Sequence, residues 1–562
     1  MPDLRGGSRE WPARAFVATL AVIHTIGAFL PDWLSLHRFD GDQSQHVWWT
    51  ARFADPSLFP GDFIADFFSL PIFAPVGYQA VMRGAVQLAD PQRAAESIPF
   101  LLGPLLFWLC WRVGRAAAAG SWVGGVVGAL VAVRLLSGLD GGLPRSFAAP
   151  VLLLGLLGLL ESRAWLLGLA GLASALFYPP AAINLGLASA VVLGPAILRE
   201  RRLPQGWPAL TAFAALAVGV VLFAYATPVP DDVGPKITGA DAQSMAEFGH
   251  RGRSTLFRQS LVDTYLGSGR GGYGVEKKAS LSIAILVLLS VWALPRFMPR
   301  TAWALIGTGM FAHAAAWATL FALHLPVKYM RYALPLFVLM WLAALAGKAA
   351  EIAVARFPAL SRPRWLFVAA AAFLLFDGVY TFRETLDQAE RPEYRARTKM
   401  LRFVAKLPKD ALIAAHPEDA NAIPLLAKRS VLASKETALP YYRGYYERVS
   451  ERLEASLRAH YALDWQTVDT LYERFGVDAI VVHDHRYEPG ARKFTEPFAS
   501  ALGEALHAER DAYVLVRPPS ERLLYHHGPF WVVRLGPPRP GYPAREGPNP
   551  LIESIPAAAG TR

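Results

Sequence analysis

The chain has 562 residues, of which 53% are hydrophobic, and its mean hydropathy is +0.28. This composition excludes an ordinary soluble protein of this length and favours a membrane domain. The formal net charge is +11, but much of the excess lies in short loops between apolar runs, so we expect membrane orientation and not nucleic-acid binding. A single cysteine, Cys110, excludes a disulfide within the chain and a CxxC metal site.

Eleven apolar runs are long enough, or nearly so, to cross a bilayer as helices. They lie at 15–33, 97–114, 117–136, 146–161, 164–179, 181–198, 209–227, 279–295, 302–322, 328–347 and 364–382. The segment 70–89 is also apolar but contains Pro71, Pro75 and Arg83, so we expect an interfacial or re-entrant helix there. The sequence therefore predicts a mainly α fold, a polytopic transmembrane helix bundle of about 11 spans over residues 1–389.

Arginine and lysine concentrate at alternate ends of these runs, which predicts a cytoplasmic N-terminus. The loop that holds Asp40 and the loops at 137–145, 228–278 and 323–328 then share the outer face of a bacterial-type inner (plasma) membrane. We expect the C-terminal domain on the same periplasmic or extracellular side.

Residues 390–536 alternate short strand patterns with helical ones, which predicts a soluble α/β domain. The expected strands are 411–415, 430–434, 478–483, 513–517 and 530–535, and the expected helices are 394–406, 446–460 and 466–475. From Pro537 onward proline, glycine and alanine dominate, so 537–562 is expected to be a disordered tail.

An acidic stretch follows the first apolar run. Asp40 and Asp42 flank one glycine, and an aromatic segment comes next. Carboxylates fixed at a bilayer surface could take the proton of an acceptor hydroxyl or hold a cation, with Gln43 and His46 as supporting residues. Asp42 could equally be the N-cap of a short helix.

Arg145 is the first of several basic residues that break the charge bias of the outer face. It follows Asp140 and a pair of glycines that permit close backbone approach. Arginine binds phosphate oxygens bidentately, so Arg145 is a candidate phosphate ligand with Asp140 as a supporting residue. An arginine snorkelling to the interface is the simpler alternative.

Two further basic groups lie on the outer face. Arg251 and Arg253 stand in a glycine-rich part of the long loop, and Lys328 and Arg331 lie three residues apart beside Tyr332. Both groups suit a lipid phosphate or pyrophosphate. The alternatives are a solvated loop for the first pair and interfacial anchoring for the second.

The soluble domain offers two weaker signals. The tyrosines at 441–446 could stack on sugar rings, but we favour a role in packing the domain onto the membrane part. His483 and His485 flank Asp484 like a metal triplet, but neighbouring side chains on a strand point to opposite faces. No third ligand is evident, so we expect no zinc site.

The order of these motifs resembles the GT-C superfamily of polytopic membrane glycosyltransferases, and is similar to that of protein mannosyltransferases and aminoarabinose transferases. Those enzymes have an acidic motif after the first helix, then a juxtamembrane helix, a second helix ending in basic residues, a second outer loop with an arginine, and a basic residue beside a late tyrosine. The corresponding parts here are Asp42-Gln43 (where many members have Asp-Glu), 70–89, 96–115, Pro144-Arg145-Ser146 with Asp140, and Arg331-Tyr332.

The resemblance implies transfer of a sugar, with inversion, from a polyprenyl-phosphate donor to a glycan, lipid or protein acceptor at the outer face. Asp42 or Asp40 would be the base, and Arg145, Arg251, Arg253, Lys328 and Arg331 would bind the donor. No cofactor is required by this reading, although the carboxylates leave a Mg²⁺ or Mn²⁺ ion open.

Two alternatives stay open on the sequence. One is a non-catalytic GT-C relative that binds or scaffolds envelope lipids. The other is a lipid or solute transporter, ranked lower because no inverted repeat and few acids occur within the runs.

Overall fold

The computed structural model describes residues 10–35, 39–201, 203–267, 269–274, 298–323, 325–356 and 392–547. The chain is mostly helical (65%) with a small mixed sheet in its C-terminal region, which confirms the mainly α class. The apolar runs at 279–295 and 364–382 lie outside the described residues.

The N-terminal part is built from helices joined by short loops. Their bounds are α1 Trp11–Leu34, α2 Gln43–His46, α3 Phe63–Ser69, α4 Val76–Ala85, α5 Pro91–Ala117, α6 Trp122–Leu135, α7 Ala148–Leu160, α8 Ala164–Phe177, α9 Pro179–Glu200, α10 Trp207–Ala226, α11 Gly239–Ser244, α12 Leu261–Tyr265, α13 Arg300–Ala318 and α14 Val327–Arg356.

Among the described residues, six helices are long and apolar enough to cross a membrane. They are Trp11–Leu34, Pro91–Ala117, Trp122–Gly142, Pro179–Glu200, Trp207–Ala226 and Val327–Arg356. Two of the predicted runs form shorter apolar helices, Pro144–Leu160 and Ala164–Phe177. The expected count of about 11 spans is therefore not confirmed, because length and composition qualify only six of the described helices.

Helix α5 packs against α1, α6 and α7. Asp90 begins it by accepting a hydrogen bond from the backbone N–H of Gln92 at 3.2 Å, and Pro91 occupies its first turn, where no backbone donor is needed. Helices α5 and α6 approach so closely that a β-carbon on Gly128 would lie 2.3 Å from the carbonyl oxygen of Cys110. Small residues at such crossings let apolar helices pack by van der Waals contact.

The segment 70–89 does not cross the membrane as a single helix. It contains a turn followed by the ten-residue α4, which is too short to span a bilayer. This agrees with the interfacial or re-entrant helix expected from its prolines.

The C-terminal region folds around a five-stranded sheet. Its strands, numbered β1 to β5 along the chain with the bounds given below, lie in the order β2-β1-β3-β5-β4. Strand β1 pairs in parallel with β2 and β3, whereas β5 is antiparallel to β3 and β4. The strands are β1 Leu412–Ala415, β2 Ser430–Val431, β3 Ala479–His483, β4 Leu523–His527 and β5 Phe530–Arg534. The helices are α15 Pro392–Val404, α16 Pro417–Ala420, α17 Ala422–Ala427, α18 Arg443–His460, α19 Trp465–Phe475 and α20 Phe498–Leu502.

One expected strand, 513–517, is wrong. Those residues form short 3₁₀ turns, and the fourth strand is Leu523–His527 instead. The alternation that suggested a strand arises because Tyr513 and Leu515 are both buried. Their polar groups bond outside the sheet: the Tyr513 hydroxyl donates to Ala505 O at 2.6 Å, and Leu515 O accepts from the Trp531 indole at 2.9 Å.

The first part of the predicted tail is held against this domain. Arg539 Nη2 pairs with Asp478 Oδ1 at 2.6 Å, and the Tyr542 hydroxyl donates to the same oxygen at 3.1 Å. Glu546 bridges to Tyr525 of β4. Residues 548–562 lie outside the described residues.

The tyrosine run packs the C-terminal domain onto the N-terminal part, as the sequence led us to expect. Tyr445 stacks on Phe67 of α3 with ring centroids 3.6 Å apart, and Tyr442 meets Phe73 edge-on at 5.5 Å. Tyr441 packs against Phe248 of the long loop at 5.9 Å. The sheet domain is thereby fixed over the loops that follow α1 and α10.

Candidate functional site

The turn after α1 presents the two acidic residues. Asp40 accepts the backbone N–H of Asp42 through Oδ1 at 2.8 Å, and its own N–H donates to Gln43 Oε1 at 3.1 Å. Helix α2 begins directly after Asp42, but the Asp42 side chain makes no capping hydrogen bond. The N-cap alternative therefore does not hold for its carboxylate, which is directed elsewhere.

A second turn, between α6 and α7, faces the first. Gly142 has a φ of +60°, and a β-carbon there would lie 1.7 Å from Ala95 O, so only glycine fits. Ser146 ties the turn by accepting from Leu143 N and donating to Leu139 O, both at 3.0 Å. The buried Gln43 side chain donates to the carbonyl of the neighbouring Gly141 at 3.1 Å, which locks the two turns together.

Arg145 joins both aspartates. Its Nη2 lies 2.5 Å from Asp40 Oδ2, and its Nη1 pairs with Asp42 Oδ2. The side chains of Arg145, Asp40 and Asp42 are 14%, 24% and 44% exposed. We predicted separate roles for the acids and the arginine, but the structure brings them into one ion triplet in which Asp42 is the most accessible member.

Three further cations stand beside this triplet. Lys328 and Arg331 lie near the start of α14. Lys328 is within electrostatic range of Arg331, Arg270 and Arg145. The Tyr332 hydroxyl donates to the carbonyl of Arg145 at 3.4 Å. Lys328, Arg331 and Tyr332 are thus placed at the triplet, as a shared site requires.

Arg270 was missing from our site residues. It donates from Nη1 to the Tyr441 hydroxyl at 3.3 Å and lies within electrostatic range of Lys328. Its signal in the sequence was the glycine-rich stretch 267–274 around it, which resembles that around Arg251 and Arg253.

The other two predicted donor ligands, Arg253 and Arg251, differ in their surroundings. The side chain of Arg253 is 8% exposed. Its guanidinium donates to Glu436 Oε2 at 2.9 Å, to Glu436 O at 2.7 Å and to Ala438 O at 3.3 Å. The side chain of Arg251 is exposed, and its backbone carbonyl accepts from Glu496 N at 3.2 Å. The sequence shows the charges in this loop but not their partners, and the role of Arg251 and Arg253 as donor ligands stays a prediction.

His46 ends α2 close to the triplet. Burial and, secondly, the charge of Lys328 lower the pKa of His46 to about 4, against the opposing effect of Asp40. The imidazole is therefore neutral at physiological pH. It supports the site by packing and not by carrying charge.

Asp140 borders a cavity of about 190 Å³ beside the triplet. The cavity is also lined by Asp32, Asp40 and Glu96, and by the rings of Phe29 and Phe39. Within the described ranges, however, no three His, Cys, Asp or Glu side chains converge closely enough to hold a metal ion. Asp40 and Asp42 pair with Arg145, so a divalent cation at these carboxylates would have to compete with the guanidinium.

His483 and His485 have separate partners. The His483 ring stacks on Phe530 at 4.2 Å, and His485 pairs with Glu488 at 3.0 Å. His485 lies beyond the end of β3, and the two imidazole rings are 5.8 Å apart.

No protein-family model matches the chain, and no curated protein matches it. The chain is similar to solved structures of an oligosaccharyltransferase from Archaeoglobus fulgidus. The AglB complex with an inhibitory peptide and a dolichol-phosphate is 11% identical, with 86% of this chain and 70% of that chain covered and a TM-score of 0.48. The apo form is 11% identical, with 87% and 72% covered and a TM-score of 0.46.

With TM-scores this low, the likeness does not bear on the roles of individual side chains, which follow from the contacts described above.

Proposed function

We propose that this chain is a membrane glycosyltransferase that moves a sugar from a polyprenyl-phosphate donor to an acceptor at the outer face of the membrane. The observation that carries the proposal is the ion triplet of Asp40, Asp42 and Arg145 beside the cations Lys328 and Arg331. Glycosyl transfer from a phosphate needs a base for the acceptor and cations for the leaving group, and these are the two kinds of group brought together.

Asp42 is the proposed base, because its side chain is the more exposed of the two carboxylates. The acceptor hydroxyl gives its proton to Asp42 while its oxygen attacks the anomeric carbon. The bond from that carbon to the phosphate oxygen breaks, and the phosphate leaves with the electron pair. Asp40 positions the base, since its Oδ1 holds the backbone N–H of Asp42.

Lys328, Arg331 and Arg270 are the proposed ligands of the donor phosphate. Their positive charges lie beside Arg145, and the three residues come from two different segments of the chain. Fixed cations stabilise the charge that develops on a leaving phosphate. The electrostatic stabilisation that each cation supplies is larger where water is partly excluded.

Arg145 links the two halves of the reaction. A guanidinium has five N–H donors, so Arg145 can keep its contact with Asp40 while its Nη1 turns from Asp42 to a phosphate oxygen. Donor binding would then free Asp42 to act as the base. An empty site would hold Asp42 in an ion pair and leave it a poor base.

The proposed setting is a bacterial-type inner membrane, crossed several times, with a cytoplasmic N-terminus. The site, the long loop and the sheet domain meet at one end of the helices. Other ion pairs lie away from it: Glu10 pairs with Arg115 at 2.6 Å, and Arg112 with Glu161 at 2.6 Å. Excess arginine at these helix ends supports a cytoplasmic position for them.

A non-catalytic lipid-phosphate binder is the second candidate, and one observation favours it. Arg145 pairs with both carboxylates, and a carboxylate held in this way is a weak base.

One assay distinguishes the glycosyltransferase from the non-catalytic lipid-phosphate binder. The full chain in lipid nanodiscs would receive radiolabelled polyprenyl-phosphate sugars and a membrane extract as acceptor. Transfer of label with multiple turnovers supports the enzyme. Saturable binding of the same donors without any transfer supports the binder and contradicts the enzyme.

A further inference from the structure

Glu436 reaches the candidate site from the C-terminal domain. It lies shortly after β2, and its carboxyl carbon would be 4.0 Å from a β-carbon placed on Gly41, the residue between Asp40 and Asp42. The domain that carries the sheet therefore has a carboxylate beside the turn that holds the proposed base.

A tight turn fixes the backbone of Glu436. Ser434 N donates to Thr437 Oγ1 and Thr437 N donates to Ser434 Oγ, both at 3.3 Å. Glu436 N itself donates to the side-chain oxygen of Asn421 at 3.0 Å. These bonds leave only the side chain of Glu436 to adapt, so its carboxylate is presented from a defined position.

One oxygen of Glu436 connects two segments of the N-terminal part. Oε2 accepts from Gln45 Nε2 at 2.9 Å and from Arg253 Nη2 at 2.9 Å. Gln45 and the Arg253 side chain are each 8% exposed. Without this acceptor Gln45 Nε2 would lose its hydrogen bond without regaining water, whereas Arg253 would keep its bonds to the backbone carbonyls of Glu436 and Ala438.

Gln45 belongs to α2, the single helical turn that starts directly after Asp42. Its amide therefore ties the α2 turn to Glu436 on one side, while Gln43 in the same turn is tied to Gly141 on the other. The direction of Asp42 depends on both anchors, since α2 is too short to hold its own orientation.

We propose that Glu436 is a positioning residue for Asp42, so that the active site is completed by the C-terminal domain. The role rests on the proposed function, because positioning matters only if Asp42 takes a proton. Glu436 acts through Gln45 and does not touch the substrate. Arg253 serves as its charge partner and not as a donor ligand.

The test uses the full chain in nanodiscs with four single variants and the double variant of Glu436→Ala and Gln45→Ala. Glu436→Ala removes the acceptor, and Glu436→Gln keeps a carbonyl oxygen that both donors can still reach. Gln45→Ala removes the other side of the contact. Asp241→Asn is the matched control, because Asp241 also joins the two domains through Arg443 at 2.9 Å but contacts no residue of the triplet.

Two readouts separate the positioning role from the function itself. The first is amide hydrogen exchange in residues 43–47, which needs no substrate. The second is the split of kcat and KM for transfer from a radiolabelled polyprenyl-phosphate sugar.

We expect faster exchange in Glu436→Ala and Gln45→Ala and wild-type exchange in Asp241→Asn. We expect kcat to fall about tenfold in Glu436→Ala, as on losing one charge-assisted hydrogen bond, with KM for the donor within about twofold. Glu436→Gln should recover most of kcat. The double variant with Gln45→Ala should be no worse than either single one, since the two changes break the same contact.

Unchanged exchange in Glu436→Ala, or a rise in KM at constant kcat, contradicts the positioning role. Faster exchange together with no transfer by the wild type contradicts the proposed function and leaves the contact of Glu436 with α2 established. Because Glu436→Gln has nearly the same shape as the native side chain, poor folding of Glu436→Ala alone does not remove the test.

Discussion

Arg145 Nη2 lies 2.5 Å from Asp40 Oδ2, although 105 residues separate the two in the chain. The contact forms because α5 packs against both α1 and the 3₁₀ turn at Leu136–Gly142, which brings the turn after α1 to the turn before α7. Desolvating charged groups in a mostly apolar protein costs free energy unless other interactions compensate for it or the contact serves a function. We interpret this contact as the resting state of a site in which a donor phosphate later replaces Asp42 as the partner of Arg145 Nη1.

Arg145→Lys tests whether the planar guanidinium is needed. A lysine keeps the charge but has one nitrogen, so it cannot contact Asp40, Asp42 and a phosphate in a fixed geometry. We expect the transfer rate to fall about 100-fold, as when one preorganised donor is removed from an active site. Arg163→Lys, where Arg163 pairs with Glu161 at 3.2 Å, is the control and should transfer normally. A wild-type rate in Arg145→Lys would argue against the ion triplet as the catalytic centre.

Much of the architecture could be predicted from the sequence, because it follows from local patterns. The apolar runs predicted the long helices, and the amphipathic patterns predicted α15, α18 and α19 to within three residues at each end. The proline-containing segment 70–89 was correctly expected not to cross the bilayer as one helix. Each of these features depends on residues close together in the chain.

The site could be predicted only as a set of residues and not as an arrangement. Asp42 and Arg145 were both candidates, but their pairing depends on helix packing and leaves no local trace. Arg253 looked like a phosphate ligand because its partner, Glu436, lies 183 residues away. Long-range ion pairs of this kind cannot be predicted from a single sequence.

Lys328→Gln and Arg331→Gln test the proposed phosphate ligands. Each change removes one cation near the site, so we expect the KM for the donor to rise about tenfold per substitution while kcat changes less. Lys406→Gln is the control, since Lys406 pairs with Glu546 in the C-terminal domain. Donor KM values equal to the wild-type value in both variants would remove these residues from the donor site.

Gly142→Ala tests the turn that presents Arg145. The added β-carbon would lie 1.7 Å from Ala95 O, at a φ of +60°. We expect a loss of roughly 1–3 kcal/mol in stability, with a lower midpoint of thermal unfolding. Gly84→Ala is the matched control, because nothing lies within 4 Å of that position and alanine favours a helix. Equal midpoints for Gly142→Ala and the wild type would contradict the described turn.

Two buried histidines predict how the C-terminal domain responds to acid. Burial lowers the pKa of His416 to about 3 and holds that of His460 well below its usual value. The unfolded chain takes up protons below about pH 6.5, whereas these native imidazoles stay neutral. Stability should therefore fall as the pH decreases from about 6.5 towards 3, by up to about 1.4 kcal/mol per pH unit for each histidine.

Hydrogen exchange in β1 and α18, corrected for intrinsic rates, would measure this loss in the full chain between about pH 7 and about pH 4.5. His460→Phe cannot take up a proton, so it should flatten the dependence. His485→Gln, at an exposed position, should not. Protection that stays constant over this range would contradict the account of the buried pair.

The most direct test of the central claim is the rate of transfer by Asp42→Asn. Asparagine keeps the size of the side chain but cannot take a proton. The wild type and the variant would be compared in nanodiscs with radiolabelled polyprenyl-phosphate sugars. Asp66→Asn is the control, because Asp66 lies on α3 and pairs with Arg52. We predict a fall of at least about 100-fold in Asp42→Asn, with donor binding retained. Transfer at the wild-type rate in Asp42→Asn would contradict its role as the base.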